Sequence, residues 1–221
     1  MTFAEVMQTL ESLGTEQNRK IYGRHGGGSN MFGVSWAEIR KLAKKIKQDH
    51  ALAVRLWESG SFEAMVIATM VADPKALQQA EVEDWVRALK WHAVTDEFVN
   101  NLISKTAYAG DLALAWIGSP AEQVGRAGWH LVGVLAKSGR ERLDYAQLLT
   151  EIEQSIHTAP NRKREAMNNA LIAIGIYRPE LTASAIAAAG RIGKVAIDHG
   201  DTSCKTPDAA AYIQKALARP S

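Results

Sequence analysis

Glu63-Ala64-Met65-Val66-Ile67-Ala68, Arg126-Ala127-Gly128-Trp129-His130-Leu131 and Glu165-Ala166-Met167-Asn168-Asn169-Ala170 open alike: a charge, an alanine, then small or apolar residues. With Asp96 between the first two, the charged positions recur at roughly 30–40 residues, the period of paired-helix solenoids. Apolar residues around them follow helical spacing, as in Trp85, Val86 and Leu89, Leu131, Val132 and Leu135, and Leu171, Ile172 and Ile174. Alternating runs rich in Val, Thr and aromatics are almost absent. The pattern predicts an all-α chain with helices over about 3–13, 16–23, 35–48, 50–58, 61–72, 76–90, 92–105, 109–117, 121–138, 141–157, 161–175, 179–193 and 206–218. Breaks fall at Asp73-Pro74, Ser119-Pro120, Ser138-Gly139, Pro160 and Pro179, and Thr206-Pro207-Asp208 reads as an N-cap followed by proline at the first helical position. Helices this short do not stand alone in water and must stack. If the same helix of each pair lines one wall, Glu63, Asp96, Arg126 and Arg164 share one surface.

A chain of 221 residues can bury one substantial core. A single elongated domain over 1–221 is expected, closed by a polar loop and capping helix over 195–221. Charged residues make up 23% and apolar ones 47%, an ordinary globular composition, and a net charge of +2 neither demands nor excludes a nucleic-acid partner. The distribution of charge matters more. Arg40, Lys41, Lys44, Lys45 and Lys47 form one basic cluster, Arg162, Lys163 and Arg164 another, with Arg140 and Arg142 between them. Each cluster reads either as a solvated helix face or as a contact for phosphates. The single cysteine, Cys204, excludes an internal disulfide and suits a reducing compartment. The N-terminal residues carry no secretory pattern and no apolar run approaches the roughly 20 residues of a membrane helix, so a cytoplasmic location without membrane involvement is expected.

Two polar segments stand apart. Arg24-His25-Gly26-Gly27-Gly28-Ser29-Asn30 lacks the Gly-Lys-Ser/Thr ending of a nucleotide loop and follows no strand, which favours a connector. The tail, Asp198 to Lys205, is dense in potential metal ligands, but its Asp198, His199, Asp201 and Cys204 fit no standard zinc spacing. It reads as a hydrogen-bonded loop closing the array, or as a loop reaching toward a ligand. No metal site is expected.

Four blocks in order carry a resemblance: Phe32-Gly33-Val34 with Ile39-Arg40-Lys41-Leu42-Ala43-Lys44; Leu52-Ala53, Leu56-Trp57-Glu58-Ser59 and Phe62-Glu63-Ala64; Trp91-His92-Ala93-Val94-Thr95-Asp96; and Val124-Gly125-Arg126-Ala127. Together they resemble the DNA alkylation repair family of AlkD-like, HEAT-repeat DNA glycosylases, over about residues 20 to 180. The resemblance implies a right-handed α-α superhelix of HEAT-like repeats. It further implies a concave face for double-stranded DNA with alkylated bases, hydrolysis of the N-glycosidic bond of N3- or N7-alkylated purines, no metal or organic cofactor, and a monomer.

That chemistry has a physical logic. Alkylation puts a positive charge on the purine, and bond breaking leaves an oxocarbenium-like sugar that a carboxylate stabilises. The resemblance carries this role to Asp96. It carries the grip on a flanking phosphate to Arg126 and a flat aromatic face to Trp91. Arg40, Lys44, Lys45, Arg162, Lys163 and Arg164 would add salt-sensitive attraction to the backbone. Two positions depart from the family. His92 stands where the motif has a second tryptophan, beside the catalytic acid, and Asn169 falls near where a later inner-wall tryptophan is expected. These departures open an alternative, a DNA-structure-binding HEAT-repeat protein without catalysis. A protein-binding solenoid is a third class. Bland readings stand beside each residue: Asp96 as a helix-start acid, Arg126 as an ion-pair partner of Glu122 one turn earlier, Trp91 as core, and His92 as a polar wall residue. Trp57, Trp85, Trp116 and Trp129 read as core, and Asn168 and Asn169, unusual in a mid-helix apolar run, as exposed.

Overall fold

The first half of the chain runs α1 (Phe3–Leu13), α2 (Glu16–Arg24), α3 (Trp36–Ile46), α4 (His50–Glu58), α5 (Phe62–Val71), α6 (Gln79–Ala88) and α7 (His92–Asn101). A short 3-10 turn follows at Ile103–Lys105, then α8 (Ala109–Ile117), α9 (Glu122–Ser138), α10 (Tyr145–Ser155), α11 (Asn161–Tyr177), α12 (Thr182–Ile192) and α13 (Ala209–Leu217). This computed structural model describes residues 1–139 and 143–218, and no strand occurs among them. Nor, among the described residues, is any single helix long and apolar enough to cross a membrane. The all-α expectation holds, and helix starts fall within a few residues of where the periodicity puts them.

Local chemistry explains the starts. Thr2, Thr15, Ser35, Asp49 and Asp144 each accept an N–H from the first turn of their helix, and Thr2 forms a full capping box with Glu5. One start is corrected: α13 is capped by Asp208, not Thr206. The Asp208 carboxylate accepts from Ala211 N–H at 2.9 Å. Meanwhile the Thr206 hydroxyl meets His199 Nε2 at 3.0 Å, and the Pro207 carbonyl accepts from Asn168 Nδ2 at 3.1 Å.

Contacts divide the chain into two compact units, Met1–Thr106 with Gly200–Thr202, and Ala107–His199 with Ser203–Ser221. In the first, α4 pairs with α5, and α3 and α7 both pack on α5. The α5 segment is apolar nearly all round and is buried accordingly. Trp57 and Trp85 stack with ring centroids 4.4 Å apart, and Phe98 lies against both. In the second unit α8 pairs with α9, α9 packs along α11, and α12 and α13 cover α11. A Cβ on Gly128 would lie 2.6 Å from the Ile117 nitrogen, so α8 and α9 approach more closely than alanine allows. Trp57, Trp85, Trp116 and Trp129 are all buried core, as read from the sequence. The look-alike segments sit on α5, α9 and α11, and Asp96 on α7: the helices that lie side by side within their own unit.

Candidate nucleic-acid interface

In the first unit, Trp91 is the residue before α7, and His92 opens the helix. Asp96 follows His92 by one turn, so the two share a helix face, and both are half-buried. Trp91 is only 9% exposed, its ring edge-on to Phe62 with centroids 6.0 Å apart. Phe62 in turn meets Tyr22 at 5.3 Å and Trp36 at 5.9 Å. These four rings, with His25 and His92, line a cavity of about 300 Å³. The Tyr22 hydroxyl is committed to the Val34 carbonyl at 2.7 Å, and burial, with the Glu63 charge, pushes its pKa up. The glycine-rich segment closes over this cavity: Gly27 lines it, and a Cβ on Gly28 (φ +66°) would lie 2.5 Å from Trp91 Nε1. It is a connector shaped to Trp91, hence its need for glycine.

Glu63 is not a wall residue. It is fully buried, and its carboxylate accepts backbone N–H bonds from Phe32 (2.9 Å), Gly33 (2.6 Å) and Val34 (3.0 Å). Three donors converging on one charge fix the connector that delivers Trp36 to the cavity. The sequence hint of a surface shared by Glu63 is corrected accordingly.

From Trp36 the exposed side of α3 is basic. Arg40 sits one turn on, its guanidinium 5.5 Å from the Trp36 ring centroid and loosely paired with Glu97 at 3.9 Å. Lys44 continues the same face, with Lys41 and Lys45 beside it and Lys47 just past the helix end, and all five cations are exposed.

The second unit treats its basic residues differently. Arg126 is 3% exposed and donates to the Arg162 carbonyl at 3.0 Å and to Glu165 Oε2 at 2.7 Å. Arg162 donates to the same carboxylate at 3.1 Å, and His199 Nδ1 lies 3.7 Å from its other oxygen. Burial alone would raise the Glu165 pKa, but the two guanidiniums outweigh it and hold the carboxyl below its ordinary value. Glu122, the ion-pair partner anticipated for Arg126, accepts the Arg162 backbone N–H at 2.8 Å. Lys163 donates to the Ser119 carbonyl at 3.0 Å, and burial pushes its pKa down. Arg164 donates to the carbonyls of Ala159 (2.8 Å) and Ala196 (2.9 Å). All three neighbours are half-buried and tie connectors together. Asn169 is exposed, whereas Asn168 is buried. Arg140 and Arg142 lie outside the described residues. In the tail, Cys204 is exposed, and among the described residues no group of three or more His, Cys, Asp or Glu is placed to hold a metal.

Sequence reasoning missed the aromatic cavity and the Glu63 and Glu165 clamps. The signal for the clamps was present in the charge heading each look-alike segment. The cavity gave none, because its rings come from four separated places in the chain.

A family model described as DNA alkylation repair enzyme matches residues 6–213. An uncharacterised protein of Listeria monocytogenes is 29% identical over 225 residues, covering 99% of each chain, and one of Listeria innocua matches to the same extent. A solved structure described as representing a new family of proteins related to the HEAT-like repeat DNA glycosylases, with affinity for branched DNA structures, is similar at a TM-score of 0.87 and 32% identity. The match covers 98% of this chain and 94% of that one.

Proposed function

Because the chain belongs to the DNA alkylation repair enzyme family, we propose that it binds DNA of unusual shape, branched DNA foremost, without excising bases. One observation carries the reading. Arg126, where the resemblance puts the phosphate-gripping group, is sealed from solvent and committed to Glu165 and the Arg162 carbonyl. A guanidinium so engaged positions connectors rather than substrate. His92 and Asn169, in place of two indoles, replace their large electron-rich faces with a small polar ring and an amide, which hold a cationic purine less well. The structural relative with affinity for branched DNA supports the same direction. In this reading Arg40, Lys44 and Lys45 supply exposed, sequence-independent attraction to phosphates. Excision keeps one supporting observation, the half-buried Asp96 one turn from His92.

The test pairs binding with base release. A four-way junction is expected to bind more tightly than matched duplex, with affinity falling steeply as salt rises. Arg40→Glu with Lys44→Glu is expected to weaken binding at least about tenfold and flatten the salt dependence by roughly 0.9 per lost contact. No 7-methylguanine should be released from methylated duplex. Release by wild type that disappears in Asp96→Asn would overturn the reading in favour of a glycosylase.

A further inference from the structure

The cavity between α2, α3, α5 and the start of α7 has no part in the phosphate contacts above. Its walls are planar: Tyr22, Trp36, Phe62 and Trp91, joined ring to ring at centroid distances of 5.3 to 6.5 Å. His25 and His92 stand at its lining and add imidazole nitrogens able to donate or accept. At about 300 Å³ it sits at the lower end of small-ligand pockets. The four aromatic side chains keep different exposures. Phe62 and Trp91 form the buried floor, while Tyr22 and Trp36 are half-exposed and so reachable from outside. A hydrophobic core would have closed over such rings. Here Gly27 and Gly28 let the overlying connector lie directly against the Trp91 indole, where any side chain at Gly28 would strike it, and the half-exposed Tyr22 and Trp36 rings are left as the way in.

The surroundings name the occupant's chemistry. Trp36 belongs to the cavity and also carries the Arg40 guanidinium over its ring, from which the exposed Lys44 follows one turn on along α3. A ligand with a flat aromatic part on an anionic tether meets both features at once: rings for stacking, cations for the tether. A nucleotide within a strand is such a ligand. In intact duplex each base is already stacked and paired, and withdrawing one costs its pairing. At a branch point, bases are the least constrained. We infer that this aromatic cavity receives one base drawn out at the branch point, where its stack is already interrupted, with the adjoining phosphates running along the basic face of α3. The inference rests on the branched-DNA reading and specifies how shape is recognised: by capturing a base that only a disrupted helix can offer.

Photo-crosslinking tests it directly. A four-way junction carrying 5-iodouracil at the branch point is irradiated with the full-length protein, and the modified peptide is identified by mass spectrometry. Matched duplex with the same base in its interior is the comparison. The expected result is an adduct on Tyr22, Trp36 or Trp91 from the junction, and at least about tenfold less from the duplex. Trp36→Leu, its fold checked by circular dichroism, should lower the adduct yield and weaken junction binding by about tenfold, the scale of one lost base–aromatic stack. Gly28→Ala, which drives a methyl group against Trp91, should lower the yield independently. Junction binding with adducts elsewhere, or equal adducts from duplex, would overturn the inference and leave branched-DNA binding standing. Failure to bind the junction at all would overturn both.

Discussion

Replacing Glu63 by glutamine changes one atom type at a site that no solvent reaches, and the outcome can be worked from the geometry. Oε1 accepts from Gly33 and Val34, and Oε2 from Phe32. A glutamine keeps its carbonyl oxygen on the first two donors, and its amide group then faces the Phe32 N–H donor to donor. One buried N–H left without an acceptor costs about 1–3 kcal/mol. The two surviving bonds lose their charge assistance, at about 1 kcal/mol each. The lower desolvation cost of a neutral amide offsets part of this. A net loss of about 2–3 kcal/mol corresponds to a fall in melting temperature of roughly 5–10 °C for a chain of this length. Differential scanning calorimetry reads the total, and hydrogen exchange locates it: amides of residues 32–34 should lose protection ahead of the α5 core. A melting shift below about 1 °C, with those amides exchanging as slowly as in wild type, would refute the buried-clamp reasoning.

The Arg126 and Glu165 pair supports two further expectations. Arg126→Gln should destabilise the protein by about 3–5 kcal/mol, since it leaves Glu165 short of a partner in a largely buried place. It should leave the slope of log affinity against log salt unchanged, whereas a residue that grips phosphate would lower that slope by roughly 0.9. The pair also sets a pH dependence. The Glu165 carboxyl is held below its ordinary value of 4.5 in the folded protein, so its stabilisation is complete above about that pH and fades as pH falls through the lowered folded value. Urea melts of wild type and Glu165→Gln, run from neutral pH downward, should converge in acid; a stability gap constant with pH would count against the ion pair.

The sequence alone determined the helices, because the forces that set them are local. Apolar spacing fixes which face each helix buries, and Thr2, Thr15, Ser35 and Asp49 cap their own first turns through residues three positions away. The repeat of charged helix starts was equally visible, and so was the family. What tertiary structure decided is where those charges look. A carboxylate or guanidinium at the head of a helix is consistent with an open wall or with a buried clamp, and the choice depends on partners distant in the chain. Glu63 finds its donors at residues 32–34 and Arg126 finds Glu165, while Lys44 and Lys45 lie exposed on the outer side of α3. The aromatic cavity belongs to the same class, since Tyr22, Trp36, Phe62 and Trp91 become neighbours only when α2, α3, α5 and α7 pack together. Periodicity reports which residues leave water, and packing alone reports what they meet when they do.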